Sequence, residues 1–445
     1  MISAAENEIL TRVGAGTPMG RMMRRYWHPV CTSEQLPAPD CAPVRTRVLG
    51  ENYVAFRDTS GTVGVLDEYC LHRRASLALG RVEEGGIRCL YHGWLYDETG
   101  ACIDRPMESA KGNIKQKLKA YPVREMGGLV FAYMGPQPAP VLPRWDLLVW
   151  PNAIRQICMN VIDCNWLQCQ ENTGDPAHSA YTPGPLFKYA LERQGRLQER
   201  ASDSEHTLHK RIQMGLGIKD VTAEPSQYGF EKGIVYSKAL GANVEGYRKH
   251  SAVIFPFTTQ TGSAGSPRSD YQFRVPIDDT HTLHIAYQVY AGPPGIEAPA
   301  QDVVPWYEAP LFDEKGEPIL DYVLAQDALV WRAQGPIVDR TQEILGRTDI
   351  PIVLLRRQLD EEIAKVERGL DPMNVFRAES ADMLHGGEVH ESWKPREWKE
   401  GELPIAQSYR RSYHKGFSMD DGDRYGPVIG LVQELHRRIE QATRA

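Results

Sequence analysis

No stretch of this chain approaches the run of about 20 apolar residues that a helix needs to cross a bilayer. Its first residues, MISAAENEILTRVGAG, lack the basic segment and apolar run of a secretory leader. Positive charge is also short. Lys and Arg number 51 against 58 Asp and Glu, the formal net charge is −7 and the pI is near 6.0. No basic field is there to hold phosphates, so nucleic acid is excluded as a partner. Cysteine is sparse, 8 in 445 residues, which is no disulfide framework. Internal repeats and low-complexity tracts are missing. What remains is a cytoplasmic enzyme or electron carrier, not a membrane protein, long enough for about two domains. Its cysteines outside any metal site (Cys31, Cys41, Cys102, Cys158, Cys164 and Cys169) are expected as reduced thiols.

Two of the cysteines sit in a stretch that concentrates soft metal donors, CLHRRASLALGRVEEGGIRCLYH at 70–92. Cys70-x-His72 and Cys89-x-x-His92 are each short enough to hang from one tight loop, and Gly80, Gly85 and Gly86 supply turns between them. Thiolate and neutral imidazole bind transition metals strongly. Zinc would take all four tetrahedrally. A Rieske [2Fe–2S] cluster would put both thiolates on one iron and both imidazoles on the other. Zinc's familiar spacings pair cysteine with cysteine first, and the alternating order here favours the cluster.

The chain divides by pattern. Met19, Met22 and Met23 beside Arg21, Arg24 and Arg25 predict a short amphipathic helix at a domain edge. Short apolar runs at 46–49, 52–57, 62–67, 87–97 and 127–135, separated by turn residues, predict a small antiparallel unit. GPQPAPVLP (135–143) is the best domain boundary. Beyond it, strands are predicted at 207–218, 228–240 and 251–257, with a hairpin over 270–291 turning at Asp278–His281. Helical periodicity covers 319–333 and the C-terminal end. The fold class expected is α+β: a small antiparallel β domain, then a larger domain whose antiparallel sheet is covered by helices. The boundaries are 1–40 for an N-terminal helical segment packing on the larger domain, 41–140 for the small domain and 141–445 for the large one.

Two places in the larger domain put ionisable groups where apolar ones are expected. If 164–178 is largely helical, Cys164, Leu167, Gln168, Glu171, Asp175 and His178 share one stripe. Pro176 breaks that helix, so Asp175 also reads as an N-cap. In ILDYVLAQDALVWRAQGPI (319–337), Asp327 falls within the stripe of Leu320, Val323, Leu324, Ala328 and Trp331. An ionised carboxylate there needs a cation, either a metal or a distant arginine.

The run Cys70-x-His72…Cys89-Leu90-Tyr91-His92-Gly93-Trp94 resembles the cluster motif of Rieske non-haem iron oxygenase α subunits. The phthalate-dioxygenase-like group, which includes O-demethylating monooxygenases, is the most similar. The similarity extends from TPMGRMMRRYWHPV to QGPIVDRTQEILG. It implies a helix-grip-like catalytic domain and a [2Fe–2S] cluster on Cys70, His72, Cys89 and His92. It also implies a mononuclear Fe(II) ligated by His178 and Asp327, with Asp175 bridging to a cluster histidine of a neighbouring subunit. By the same resemblance, the chain hydroxylates or O-demethylates an aromatic, carboxylated substrate with O2. A separate NAD(P)H-dependent reductase of flavin or ferredoxin type supplies electrons, and the assembly is a homotrimer or hexamer. Gly93-Trp94 would shield the cluster, Arg73 and Arg74 would face the donor, and Arg211, Lys232, Lys238 or Arg248 would clamp the carboxylate. The motif asks for a second histidine five residues after the first, and this chain has Pro183. Three readings follow. Tyr181, Asn172, Glu171 or Gln168, or more remotely His284, completes the shell; the iron site is weak or empty in a regulatory relative; or the proline is a substitution peculiar to this chain.

Overall fold

The computed structural model describes residues 2–108, 116–195, 217–236, 246–320, 323–389, 393 and 426–444. Two short helices come first, α1 (Ala4–Thr11) and α2 (Pro18–Met23). Ser3 and Glu6 close α1 reciprocally as a capping box. Thr17 caps α2, with Pro18 in the first turn, where a missing N–H costs nothing. Met19, Met22 and Met23 are fully buried, as their spacing predicts.

Strand β1 (Trp27–Thr32) pairs antiparallel with β11 (Leu129–Tyr133), and β11 with β10 (Val123–Met126). Next comes a four-stranded sheet of β2 (Val44–Val48), β3 (Glu51–Arg57), β4 (Val63–Asp67) and β9 (Ala120–Tyr121). A second sheet follows in sequence order: β5 (Arg81–Glu83), β6 (Gly86–Arg88), β7 (Leu95–Tyr96) and β8 (Cys102–Asp104). The run expected over 87–97 is therefore split. Its ends pair as β6 and β7, while Cys89–Trp94 leaves the ladder as a loop. Val54, Phe56, Leu66, Leu77, Val82, Ile87 and Tyr96 form a separate small core, into which the Cys70 and Cys89 sulfurs point.

The larger unit is built on an eight-stranded sheet. In chain order its strands are β12 (Ala153–Ile162), β13 (Ile218–Ser226), β14 (Gly229–Tyr236), β15 (Gly246–Ile254), β16 (Thr258–Thr261), β17 (Ser269–Pro276), β18 (Thr282–Ala291) and β19 (Trp306–Tyr307). Across the sheet they run β13-β14-β15-β16-β17-β18-β12-β19. Every pairing is antiparallel except β12 with β19, so the sheet is mixed at that edge. The β17–β18 hairpin turns where predicted, with Asp278 accepting from the Thr280 N–H and facing His281 Nδ1 at 2.9 Å. Residues 207–216 and 237–240 of the predicted strands lie outside the described ones.

Helices α4 (Trp166–Gly174), α5 (Phe187–Arg193), α6 (Val323–Ala333) and α7 (Ile350–Glu367) accompany this sheet, after a short α3 (Asp146–Val149). The C-terminal α8 (Ile429–Arg444) buries Val432, Leu435 and Ile439 against Ile154 and Tyr290. The fold class is thus α+β, a small antiparallel domain followed by a larger sheet with helices. As Pro176 predicts, the helix over 164–178 stops at Gly174, because the Asp175-Pro176 step cannot continue it. Thr182-Pro183-Gly184-Pro185, whose two prolines would ordinarily end a helix, does not end helical structure here. It forms a wide turn (Thr182–Leu186) closed by the Leu186 N–H on the Tyr181 carbonyl at 3.0 Å, and leads into α5.

Candidate metal centres

Each half of the first donor set is held by a turn with its own hydrogen bonds. The Cys70 N–H donates to the Ala75 carbonyl at 2.9 Å and the Arg74 N–H to the Cys70 carbonyl at 3.0 Å. In the second loop the Cys89 N–H reaches the Trp94 carbonyl at 2.8 Å, and the Gly93 N–H the Cys89 carbonyl at 3.0 Å. Gly93 has φ +75, and a Cβ there would meet Pro106 at 3.1 Å, so the tight turn needs glycine. Buried Arg88 ties the loop to its surroundings, donating to the Gly93 carbonyl at 2.6 Å and to Asp104 at 2.7 Å.

The four side chains gather as two pairs. Cys70 and Cys89 are buried, 1% and 2% exposed, while the His72 and His92 rings lie 4.4 Å apart nearer the surface. Burial raises the Cys89 thiol above its usual range, and the Tyr91 and His92 backbone N–H groups oppose that by facing the sulfur. Among the described residues no three His, Cys, Asp or Glu side chains converge on one point as a single ion requires. The thiols and the imidazoles lie as separate pairs, the arrangement in which a two-iron cluster takes its ligands. Trp94 stacks on His72 at 4.8 Å and 6° between planes, covering the imidazole side. Tyr96, which the sequence did not single out, places its hydroxyl 3.2 Å from the Cys70 sulfur and accepts from the Leu71 N–H at 3.2 Å. Arg73 donates to the Tyr91 hydroxyl at 3.3 Å, and Arg74 lies 5.1 Å from the Tyr69 ring.

The second site joins the end of α4 to the middle of α6. Asp175 does cap the turn after Pro176, accepting from the Ala177 N–H at 2.8 Å and the His178 N–H at 3.2 Å. His178 Nδ1 is hydrogen-bonded to the Asp175 backbone carbonyl. That bond fixes the tautomer and turns the Nε2 lone pair toward Asp327 Oδ1, 3.7 Å away. Asp327 Oδ1 is buried and has no hydrogen-bond partner among the described residues. Two acceptors facing each other at this distance leave room for a cation between them. Burial raises the Asp327 carboxyl above its ordinary range, opposed by His178, Arg274 and Lys232.

Of the third donors named from sequence, half-buried Asn172 is left open, while the others are engaged or turned elsewhere. Glu171 is committed to Arg340 and Arg356, at 2.6 and 2.7 Å. Gln168 donates to the Trp331 and Gly335 carbonyls, each at 2.8 Å, and accepts from the Val338 N–H. Tyr181 is 67% exposed. His281 serves the hairpin turn, and His284 lies edge-on to Trp331 with its Nε2 3.4 Å from the Gln272 side chain. His178 and Asp327 therefore fit two protein positions of a divalent ion, not the full two-histidine, one-carboxylate set.

Two buried cations flank this pair. Lys232 on β14 donates to the Thr173 carbonyl, and burial lowers its ammonium to about 8. Arg274 on β17 lies 5.5 Å from the ring of Trp331, one turn beyond Asp327. Sequence reading named Lys232 only among four alternatives and missed Arg274. Arg211 and Lys238 are outside the described residues.

Residues 26–122 match the family described as the Rieske [2Fe-2S] domain, and this match indicates a [2Fe–2S] cluster. Over 385 residues the chain is 38% identical to the 5,5'-dehydrodivanillate O-demethylase oxygenase subunit of a Sphingobium species, covering 85% of this chain and 84% of that one. It is 35% identical to the phthalate 4,5-dioxygenase oxygenase subunit of Pseudomonas putida, covering 83% and 88%. In fold it is similar to caffeine-bound NdmA of Pseudomonas putida CBB5 (TM-score 0.56, 21% identity, 82% of this chain and 98% of that one). It is similar also to the oxygenase in the reduced oxygenase–ferredoxin complex of carbazole 1,9a-dioxygenase (TM-score 0.52, 20% identity, 80% and 93%).

Proposed function

This chain belongs to the Rieske-type aromatic oxygenases, as an oxygenase subunit, and on that premise we propose how its residues divide the work. Cys70 and Cys89 hold one iron of the cluster and His72 and His92 the other. His178 and Asp327 hold a ferrous ion, which when bound supplies the oxygen activation that amino-acid side chains cannot. The substrate is an aromatic carboxylate, hydroxylated or O-demethylated with O2, and a separate NAD(P)H-dependent reductase of flavin or ferredoxin type feeds electrons to the cluster. We place the cluster-bearing domain at 41–140 and the catalytic domain at 141–445. The segment 1–40 packs on the latter, supported by Asn7 Nδ2 on the Val338 carbonyl at 2.9 Å and Asn165 Nδ2 on the Thr11 carbonyl at 2.9 Å. A trimeric or hexameric cytoplasmic enzyme follows from the same premise.

The observation that carries this reading is the His178–Asp327 pair, a fixed imidazole lone pair aimed at a buried carboxylate oxygen without a donor among the described residues. Neither group is accounted for by packing or capping. The protein's part in the chemistry is positional. Trp331 and Leu324 are buried beside Asp327 and keep water from that face of the site. The Asp175 backbone orients His178, and the wide turn at 182–186 carries the chain past it. The test is turnover with a ferredoxin-type reductase and NADH on methoxylated and unsubstituted benzoates. Oxygen uptake with formaldehyde release marks demethylation, and uptake without it marks ring hydroxylation. The second reading, a relative that keeps the cluster but has a weak or empty iron site, is favoured by Pro183, which offers no side-chain donor where the family has a histidine. It predicts no substrate-dependent oxygen uptake.

Two substitutions separate roles from scaffolding. Asp175→Asn keeps the capping acceptor, so stability should change little. If the carboxylate links the two metal centres, turnover should fall by about 10- to 100-fold with both metals retained; unchanged turnover assigns Asp175 to capping alone. Tyr96→Phe removes a donor to the Cys70 sulfur. Hydrogen bonds to sulfur ligands stabilise the reduced cluster, so the midpoint potential should drop. An unmoved potential would mean the hydroxyl serves only the Leu71 N–H.

A further inference from the structure

His178 and Asp327 ride on different segments, so something other than the metal has to set the gap between them. His178 follows the end of α4, Asp327 lies in the middle of α6, and their facing atoms are 3.7 Å apart. With the imidazole neutral, both present lone pairs. In the metal-free chain that pair supplies no attraction of its own.

Gln168 makes the cross-link. It stands in the first turn of α4 and is 2% exposed. Its Nε2 donates to the Trp331 and Gly335 carbonyls, each at 2.8 Å, and its Oε1 accepts from the Val338 N–H at 3.2 Å. Two acceptors and one donor fix which way the amide points. All three lie at the C-terminal end of α6 or just after it. The Trp331 carbonyl belongs to the last turn of α6, where helix carbonyls need partners from outside the helix. Trp331 is itself buried, one turn beyond Asp327. Gln168 meets Trp331 and His178 meets Asp327, in opposite order along the two segments, so these pass antiparallel with a rung at each end. The backbone adds one bond beside the Gln168 rung, from the Asn165 N–H to the Pro336 carbonyl at 2.8 Å.

We propose that Gln168 is a positioning residue for the mononuclear site. Its amide sets the register of α4 against α6 and so holds His178 and Asp327 at a separation that a divalent ion bridges. The inference rests on the oxygenase reading and goes beyond it, by assigning metal affinity to a side chain that touches neither metal nor substrate. Where Pro183 withholds an imidazole, fewer bonds to the ion are there to draw a loose pair together. Support from outside the ligand set then matters more.

The experiment uses the full-length protein with its cluster intact and oxidised, kept anaerobic and cleared of loosely held metal by a chelator. Fe2+ affinity is measured by equilibrium dialysis on the wild type, Gln168→Asn, Gln168→Met and Asn165→Ala. Gln168→Asn keeps an amide on a side chain one methylene shorter, and Gln168→Met keeps the length without the amide. Asn165→Ala is the control. It removes the cap of the same helix, Oδ1 on the Leu167 N–H at 3.0 Å, with the bonds to the Thr11 and Asp279 carbonyls, and leaves the Gln168 rung untouched. Both Gln168 variants should bind Fe2+ about tenfold more weakly, as loss of a group supporting a ligand does. Co2+ placed in the site should give a broader electron paramagnetic resonance spectrum in them than in the wild type. Asn165→Ala should melt at a lower temperature yet hold Fe2+ as the wild type does. Undiminished Fe2+ affinity in the Gln168 variants overturns the proposal while leaving the metal site standing. An equal loss in Asn165→Ala overturns it too, since general loosening of α4 would then account for the effect. A wild type that binds no Fe2+ removes the mononuclear site and the proposal together. Gln168→Asn carries the comparison if Gln168→Met does not fold.

Discussion

Pro183→His should raise the affinity of the catalytic domain for Fe2+ by about 100-fold or more. The estimate starts from the smaller losses caused by removing groups that only support a ligand. Proline offers no donor atom on its side chain, and three of the four groups nearby in sequence are occupied or turned away. Glu171 lies between two arginines, Gln168 is tied to three backbone groups, and Tyr181 faces solvent. The local backbone should accept the change. The wide turn over 182–186 is closed by the Leu186 N–H, so nothing in it depends on a proline at 183. Equilibrium dialysis against Fe2+ reads the outcome, with substrate-dependent oxygen uptake measured in parallel. Identical iron retention in the two proteins would show that another group already completes the shell.

The second large effect is expected at Cys89. Its thiol is buried in the small core beside Cys70, with two backbone N–H groups directed at the sulfur. A serine oxygen is a harder donor than thiolate, and iron–sulfur clusters depend on soft ligation. Cys89→Ser should abolish the visible absorbance of the cluster and remove about two irons per chain. The core under the eight-stranded sheet is a different cluster from the one around Cys89, so far-ultraviolet circular dichroism should be largely kept. A variant that retained full cluster absorbance would break the assignment of both pairs.

How far these sites could be read in advance depends on the range of the contacts that make them. The cluster loops were legible because each ligand pair is local and the turn residues between them are diagnostic. Asp327 was legible because one charge among Leu, Val, Ala and Trp at helical spacing is conspicuous. Arg274 was not. On β17 the run Tyr271-Gln272-Phe273-Arg274-Val275 alternates apolar and polar, the pattern of a strand with one wet face. The other face is also covered here, so Arg274 is buried along with its apolar neighbours. Helix α7 escaped notice because its buried Leu354, Leu355, Leu359 and Ile363 alternate with charges such as Arg356 and Glu362 that are themselves buried. The wide turn at 182–186 was hidden for the opposite reason. Two prolines and a glycine within four residues signal a break, yet the chain stays coiled there, closed by the Leu186 N–H on the carbonyl five residues back.

The account depends on Cys70 and Cys89 meeting one iron and His72 and His92 another. Iron and acid-labile sulfide, counted on the purified chain together with the electron paramagnetic resonance spectrum of the dithionite-reduced protein, test that arrangement directly. About two sulfides and two firmly held irons per chain, with the anisotropic signal of a histidine-ligated [2Fe–2S] centre, are predicted. A colourless protein holding about one zinc and no sulfide would contradict it.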